Sequence, residues 1–262
     1  MNWVDLLLFI ALGFVSGLLS GVLGIGGGTV LVPMIKALGY TPVQAVATSI
    51  LAIIMTALSG SIQNWRMGNL SFKKVILLGL PSLFTAQIGV ILANIFSPYL
   101  LLGTFACFLI ANIFLSNLKK TLAQKSDNLE TPNFNPVLAR IITGSLSGLL
   151  AGLFGIGGGV ILVPLQMLLL GEKIKTAIQT SLGVIFITSI SACIGHAYRG
   201  NILFVQGILL GFGGLIGAQI STRFLPRLSD RVVTLSFNIL LAILSVYIFY
   251  QAYIAFVESK IN

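Results

Sequence analysis

Two glycine clusters are the residues best placed to do chemistry in this chain, and they would do it with backbone alone. Gly24-Ile25-Gly26-Gly27-Gly28 lies within GLLSGVLGIGGGTVLVP at 17–33, and Gly155-Ile156-Gly157-Gly158-Gly159 lies within GLLAGLFGIGGGVILVP at 148–164, 131 positions later. Each glycine costs about 1 kcal/mol against alanine in a helix interior, so three in a row break a helix. Glycine accepts positive φ, and successive N–H groups of such a backbone form a concave nest for an anion. The short helices after the clusters begin at Thr29 and Val160, and helix N-termini carry free N–H groups and partial positive charge. Two such ends meeting near a bilayer midplane hold a small oxyanion without lysine or arginine. Gly24, Gly26, Gly27, Gly28, Gly155, Gly157, Gly158 and Gly159 are therefore expected to touch a substrate; a tight hairpin tip packed on its neighbours is the alternative. Neither cluster has the Lys and Ser/Thr ending of a nucleotide phosphate loop.

Polar side chains repeat with the glycines. With one residue inserted the offset becomes 132, and Thr48-Ser49 matches Thr180-Ser181, Ala86-Gln87 matches Ala218-Gln219, and Gly68-Asn69 matches Gly200-Asn201. Hydroxyls at Thr48, Ser49, Thr180 and Ser181 can donate to substrate oxygens or bond the carbonyl one turn back. Gln87 and Gln219 must face protein or a cavity, because an unsatisfied amide in hydrocarbon is costly; substrate contact and interhelical bonding are both open. His196, the sole histidine, matches Asn64 and is a candidate for carrying a proton. The six acids, Asp5, Asp127, Glu130, Glu172, Asp230 and Glu258, fall at span ends, in loops or at termini. Cation carriers and proton pumps commonly place carboxylates within the membrane, so this pattern argues against cation transport. Neither a nucleophilic triad nor a metal cluster is legible, so an enzyme is not expected, and no cofactor or metal is called for.

The elements that carry these residues read as membrane spans. Of 262 residues 56% are hydrophobic and 8% charged, against roughly a quarter charged in soluble domains. The net charge of +9 fits basic residues flanking spans better than nucleic-acid binding. Cys107 and Cys193 fall in apolar stretches, where free cysteine acts as a small apolar side chain. The N-terminus lacks the basic start of a secretory signal.

The first helix runs from about Val4 to Leu23, with Gly13, Gly17 and Gly21 as a small-residue stripe that Gly144, Gly148 and Gly152 repeat. Such stripes let helices approach closely, within the chain or between copies. A short apolar piece follows to Leu38. Thr41 can cap, and Pro42 can open, a helix to about Asn64. Spans at about 72–96 and 99–118 complete the first repeat, 1–118. Residues 119–136 form a polar linker. The second repeat, 137–262, restarts with a helix at 137–154, a short piece at 160–170, and spans at about 174–197, 202–224 and 231–256.

Basic residues decide between parallel and inverted repeats. If each short piece returns as a hairpin, one side collects Arg66, Lys73, Lys74, Lys119, Lys120, Lys125, Arg140, Lys173, Lys175, Arg223, Arg227 and Arg231, twelve of the fifteen. If it lies outside, the sides hold nine and six. Positive residues collect in the cytoplasm, so the expectation is an all-α polytopic membrane protein of two inverted repeats, each a Gly-broken helical hairpin plus three transmembrane helices. Both termini then lie outside and the linker is cytoplasmic. The depth of the hairpins stays open.

The doubled GIGGG after a small-residue helix, followed by V-P and a Thr-Ser helix, resembles the TauE/SafE sulfite-exporter family. Gly24–Gly28, Pro33, Thr48 and Ser49 carry the resemblance in the first half, and Gly155–Gly159, Pro164, Thr180 and Ser181 carry it in the second. The resemblance covers nearly the whole chain. It implies a permease for small anions, with sulfite and organosulfonates the usual substrates. Without the basic start of a signal peptide, a bacterial inner membrane is the expected location. A secondary transporter by alternating access, a channel-like anion pathway and transport of another small organic anion are the readings it leaves. Membrane lipid is the other expected contact, and oligomeric state is not fixed.

Overall fold

The computed structural model describes residues 3–125 and 135–261, and among these the regular structure is helical. The elements are α1 (Trp3–Leu23), α2 (Gly28–Ala37), α3 (Pro42–Arg66), α4 (Phe72–Ile95), α5 (Pro98–Lys125), α6 (Pro136–Phe154), α7 (Gly159–Leu169), α8 (Ile174–Tyr198), α9 (Phe204–Phe224) and α10 (Asp230–Ile261). A short 3-10 turn, Leu225–Arg227, joins α9 to α10. Eight of these helices are long and apolar enough to cross a membrane; α2 and α7 are too short.

Local chemistry explains the helix ends. Thr41 accepts from the Gln44 backbone N–H at 3.3 Å, and the Gln44 side chain accepts from the Thr41 N–H at 3.2 Å, a capping box ahead of Pro42. The αL conformation at Gly27 (φ 84°) and Gly158 (φ 78°) turns the chain into α2 and α7. Helix α5 continues beyond the expected span at about 99–118 to Lys125, because 119–125 contain good helix formers and neither Gly nor Pro. The remaining expected linker residues 126–134, with Asp127 and Glu130, lie outside the described residues.

Helix pairings exchange between the halves. Helix α1 packs on α9 as α6 packs on α4; α3 packs on α9 as α8 packs on α4; α5 touches α7 as α10 touches α2. The small-residue stripes make the first of these seams. Side chains at Gly13 and Gly17 would strike the Leu210 and Gly214 carbonyls on α9, and at Gly144 and Gly148 the Leu78 and Ser82 carbonyls on α4. The stripes therefore serve packing within the chain. Helices α3 and α8 cross antiparallel at the centre, with Ile53 beside Ile185 and Gly60 beside Leu182. Tyr99, opening α5, stacks edge-on at 5.6 Å against Phe256 near the end of α10. The outward faces are apolar, with Phe84, Phe114, Ile95 and Val246 largely exposed, as a lipid-facing surface requires.

Candidate functional site

Both glycine clusters are buried and they touch each other. Helix α1 ends when the Gly24 N–H bonds the Ser20 carbonyl at 2.8 Å, and α6 ends when the Gly155 N–H bonds the Ala151 carbonyl at 2.9 Å. The chain then reverses through positive-φ glycines into α2 or α7. A Cβ on Gly28 would collide with the Gly155 carbonyl, and a Cβ on Gly159 would collide with the Gly24 carbonyl. Only glycine permits that crosswise approach, in which Cα–H groups face carbonyl oxygens. The N-termini of α2 and α7 thus meet at the middle of the α3/α8 crossing, beside Ile53 and Ile185.

Serines lace the two breaks together. Ser181 on α8 donates to the Gly24 carbonyl at 2.8 Å, and Ser49 on α3 donates to the Gly155 carbonyl at 2.8 Å. Each also reaches a carbonyl one turn back, Ile178 or Val46. Ser16 donates to the Gly27 carbonyl at 2.9 Å and Ser147 to the Gly158 carbonyl at 3.2 Å. The sequence reading missed this last pair, whose signal was legible: Ser16-Gly17 and Ser147-Gly148 stand at the same offset as the glycines.

The amides are left open while the carbonyls are occupied. Among the described residues, no acceptor bonds the backbone N–H groups of Ile25, Gly26, Gly27, Gly28 and Thr29, nor those of Ile156 through Ile161. Buried N–H groups are almost always paired with protein, water or a ligand. Thr29, fully buried, adds a hydroxyl without a partner. No Lys, Arg, Asp or Glu is fully buried among the described residues, so the polarity of this centre comes from backbone amides and two helix N-termini. That arrangement suits an anion small enough to be wrapped by N–H groups.

Other expected site residues lie away from this meeting point or are engaged in packing. The Thr48 hydroxyl accepts from the Leu203 N–H at 3.1 Å, and Thr180 is buried at the matching position on α8. Gln87 donates to the Ser191 carbonyl and, at 3.0 Å, to the Ser191 hydroxyl, which in turn donates to the Leu83 carbonyl. Gln219 accepts from Ser59 at 3.0 Å and donates to Gln63 at 2.7 Å. Both glutamines therefore clamp a helix seam, α4 to α8 and α9 to α3. The His196 imidazole sits with Nε2 3.1 Å from the Gly152 carbonyl, and its Nδ1 has no partner. Cys107 and Cys193 are free thiols. No cluster of metal-ligating side chains occurs among the described residues.

The family model described as sulfite exporter TauE/SafE matches residues 9–248. The probable membrane transporter protein YunE of Bacillus subtilis is 26% identical across 95% of this chain and 98% of its own length. The probable membrane transporter protein MJ0441 of Methanocaldococcus jannaschii is 28% identical across 84% of this chain and 88% of its own. A probable membrane transporter protein of Haemophilus influenzae is 30% identical across 67% of each. With eight membrane-crossing apolar helices among the described residues and a family match over nearly its whole length, the chain is a multi-pass membrane transporter of the TauE/SafE family.

Proposed function

We propose that this protein is a secondary transporter of a small sulfur-containing oxyanion, sulfite or an organosulfonate, working by alternating access in a bacterial inner membrane. The observation that carries this reading is the pair of amide runs, Ile25 to Thr29 and Ile156 to Ile161, buried and without acceptors where two helix N-termini meet. An oxyanion satisfies several such donors at once. Dipoles without a fixed countercharge bind it weakly enough to release it, which a carrier needs. The sulfur chemistry rests on the family's description.

Two inverted repeats supply the moving parts. The exchanged helix pairings and the antiparallel α3/α8 crossing support a pseudo-two-fold axis lying in the membrane plane. The basic residues support the orientation. Lys74 pairs with Glu172, and Lys175 lies 3.6 Å from Asp230, bringing the starts of α4, α8 and α10 together at one end of the bundle. By helix direction that end carries twelve of the fifteen basic residues, as a cytoplasmic face does. The Gly-tipped hairpins then enter from opposite sides. Rocking one half against the other about the amide centre opens it to each side in turn.

Uptake of labelled sulfite into proteoliposomes under an inside-positive potential tests this, with a taurine-type sulfonate, sulfate, acetate and nickel ion in parallel. Saturable sulfite or sulfonate flux with nickel excluded is the expected result. Large single-channel anion currents would replace the carrier by a channel, and absence of any anion flux from folded protein would overturn the reading.

A further inference from the structure

The pseudo-symmetry is broken at one place in a way that points to a ligand. On α3 the Asn64 side chain is fully buried, and neither its Nδ2 nor its Oδ1 has a hydrogen-bond partner. On α9 the Thr222 hydroxyl is also fully buried and unpartnered. Thr222 Oγ1 stands against Gly60, one turn before Asn64 on α3, and against Gly21 on α1. Beside them Gln63 accepts from the Nε of Arg223 at 3.3 Å, and Arg223 is exposed at the surface. The equivalent positions in the other half are His196, Val90, Gly195 and Ile91. There the histidine reaches the Gly152 carbonyl at 3.1 Å, the Arg199 guanidinium donates to the adjacent Gly195 carbonyl at 3.0 Å, and Val90 supplies no hydroxyl.

We propose that Asn64, Thr222 and Arg223 form a second oxyanion station on one approach to the glycine centre, its amide and hydroxyl donors replaced by His196 and Val90 in the other half. The proposal rests on the anion-transport reading above. The Asn64 amide offers two N–H donors and Thr222 offers one O–H, all in a buried setting where an unpaired donor is costly. The Asn64 Oδ1 accepts the O–H of a singly protonated oxyanion. Arg223 supplies the positive field that draws anions from solution and can bind two of their oxygens at once. The station also leads somewhere. Gly21 lies in the last turn of α1, three residues before Gly24 and about 4.5 Å along the helix axis, so an anion released here is next to the first amide run.

The test is sided transport of labelled sulfite in proteoliposomes of uniform orientation, with the half-saturating concentration measured from each face. Thr222→Val removes only the hydroxyl and copies Val90 of the other half; Asn64→Leu removes the amide, and Asn64→His copies the matching residue. Loss of one buried donor to an anion corresponds to about a tenfold weaker affinity. Thr222→Val and Asn64→Leu are each expected to raise the half-saturating concentration about tenfold at the Arg223 face and leave the opposite face unchanged. If Asn64→Leu does not fold, Thr222→Val and Asn64→His decide. Equal effects from both faces, or none from either, overturn the station while leaving the carrier intact. No sulfite flux in the unaltered protein overturns the transport reading and the station with it.

Discussion

Ser49 on α3 donates its hydroxyl to the carbonyl of Gly155, 106 residues along the chain, at 2.8 Å. Ser181 on α8 makes the equivalent bond to Gly24. Each half of the molecule thus fixes the helix break of the other half. Occupying those carbonyls orients the breaks so that their N–H groups, and not their oxygens, remain available. Ser49→Ala and Ser181→Ala each leave a buried carbonyl short of a partner, at a cost of about 1 kcal/mol. Each variant is expected to lower the thermal unfolding midpoint in detergent, and the double variant to lower it further and slow transport. An unchanged midpoint in both single variants contradicts the lacing.

Gly27 and Gly158 combine positive φ with close packing on Ser16 and Ser147. Gly27→Val and Gly158→Val are expected to abolish anion transport, because a β-branched side chain disfavours that backbone and covers the amides. The measurement is flux per folded protein, with folding checked by size-exclusion chromatography. Full activity in either folded variant removes the amide centre.

The small-residue stripes make a different prediction. Gly17 faces Gly214, and Gly148 faces Ser82, both inside the chain. Gly17→Leu and Gly148→Leu overpack seams whose strain costs at least about 1–3 kcal/mol. Loss of folded monomer is expected. Loss of an oligomer with a normal monomer would assign the stripe to contact between copies.

The glutamines separate packing from binding. Gln87 and Gln219 are spent on Ser191, Ser59 and Gln63. Gln87→Leu and Gln219→Leu are expected to lower stability by about 1 kcal/mol each and to leave the order of preference among sulfite, sulfonate and acetate unchanged. A changed order would make them substrate ligands.

The inverted arrangement is checked with single cysteines in a chain whose Cys107 and Cys193 have been replaced by alanine. Lys36→Cys is expected to react with an impermeant reagent from outside intact cells, and Lys173→Cys only after permeabilisation. The same accessibility at both positions contradicts the inversion.

Much of the architecture was legible because its signals are local or doubled. Gly27 and Gly158 break helices by their own conformational freedom, and Thr41 with Gln44 announces the start of α3. Repetition at a near-constant offset located the equivalent serines and glutamines before any contact was known. What these side chains touch was not legible, since Ser49 to Gly155 and Gln219 to Gln63 are long-range pairings that depend on how helices from different halves cross. Asn64 was legible only as the repeat match of His196, and Thr222 not at all; their burial and unpaired atoms are visible only in the fold.

The most direct test of the central claim is to watch the amides themselves. Protein labelled with 15N-glycine, with Gly27 and Gly158 assigned by substitution, is titrated with sulfite in nanodiscs. The amide centre predicts saturable downfield shifts of the Gly27 and Gly158 N–H protons, with no comparable shift at Gly39 or Gly171 beyond the short helices. Saturable sulfite binding that leaves both glycine amides unmoved would contradict it.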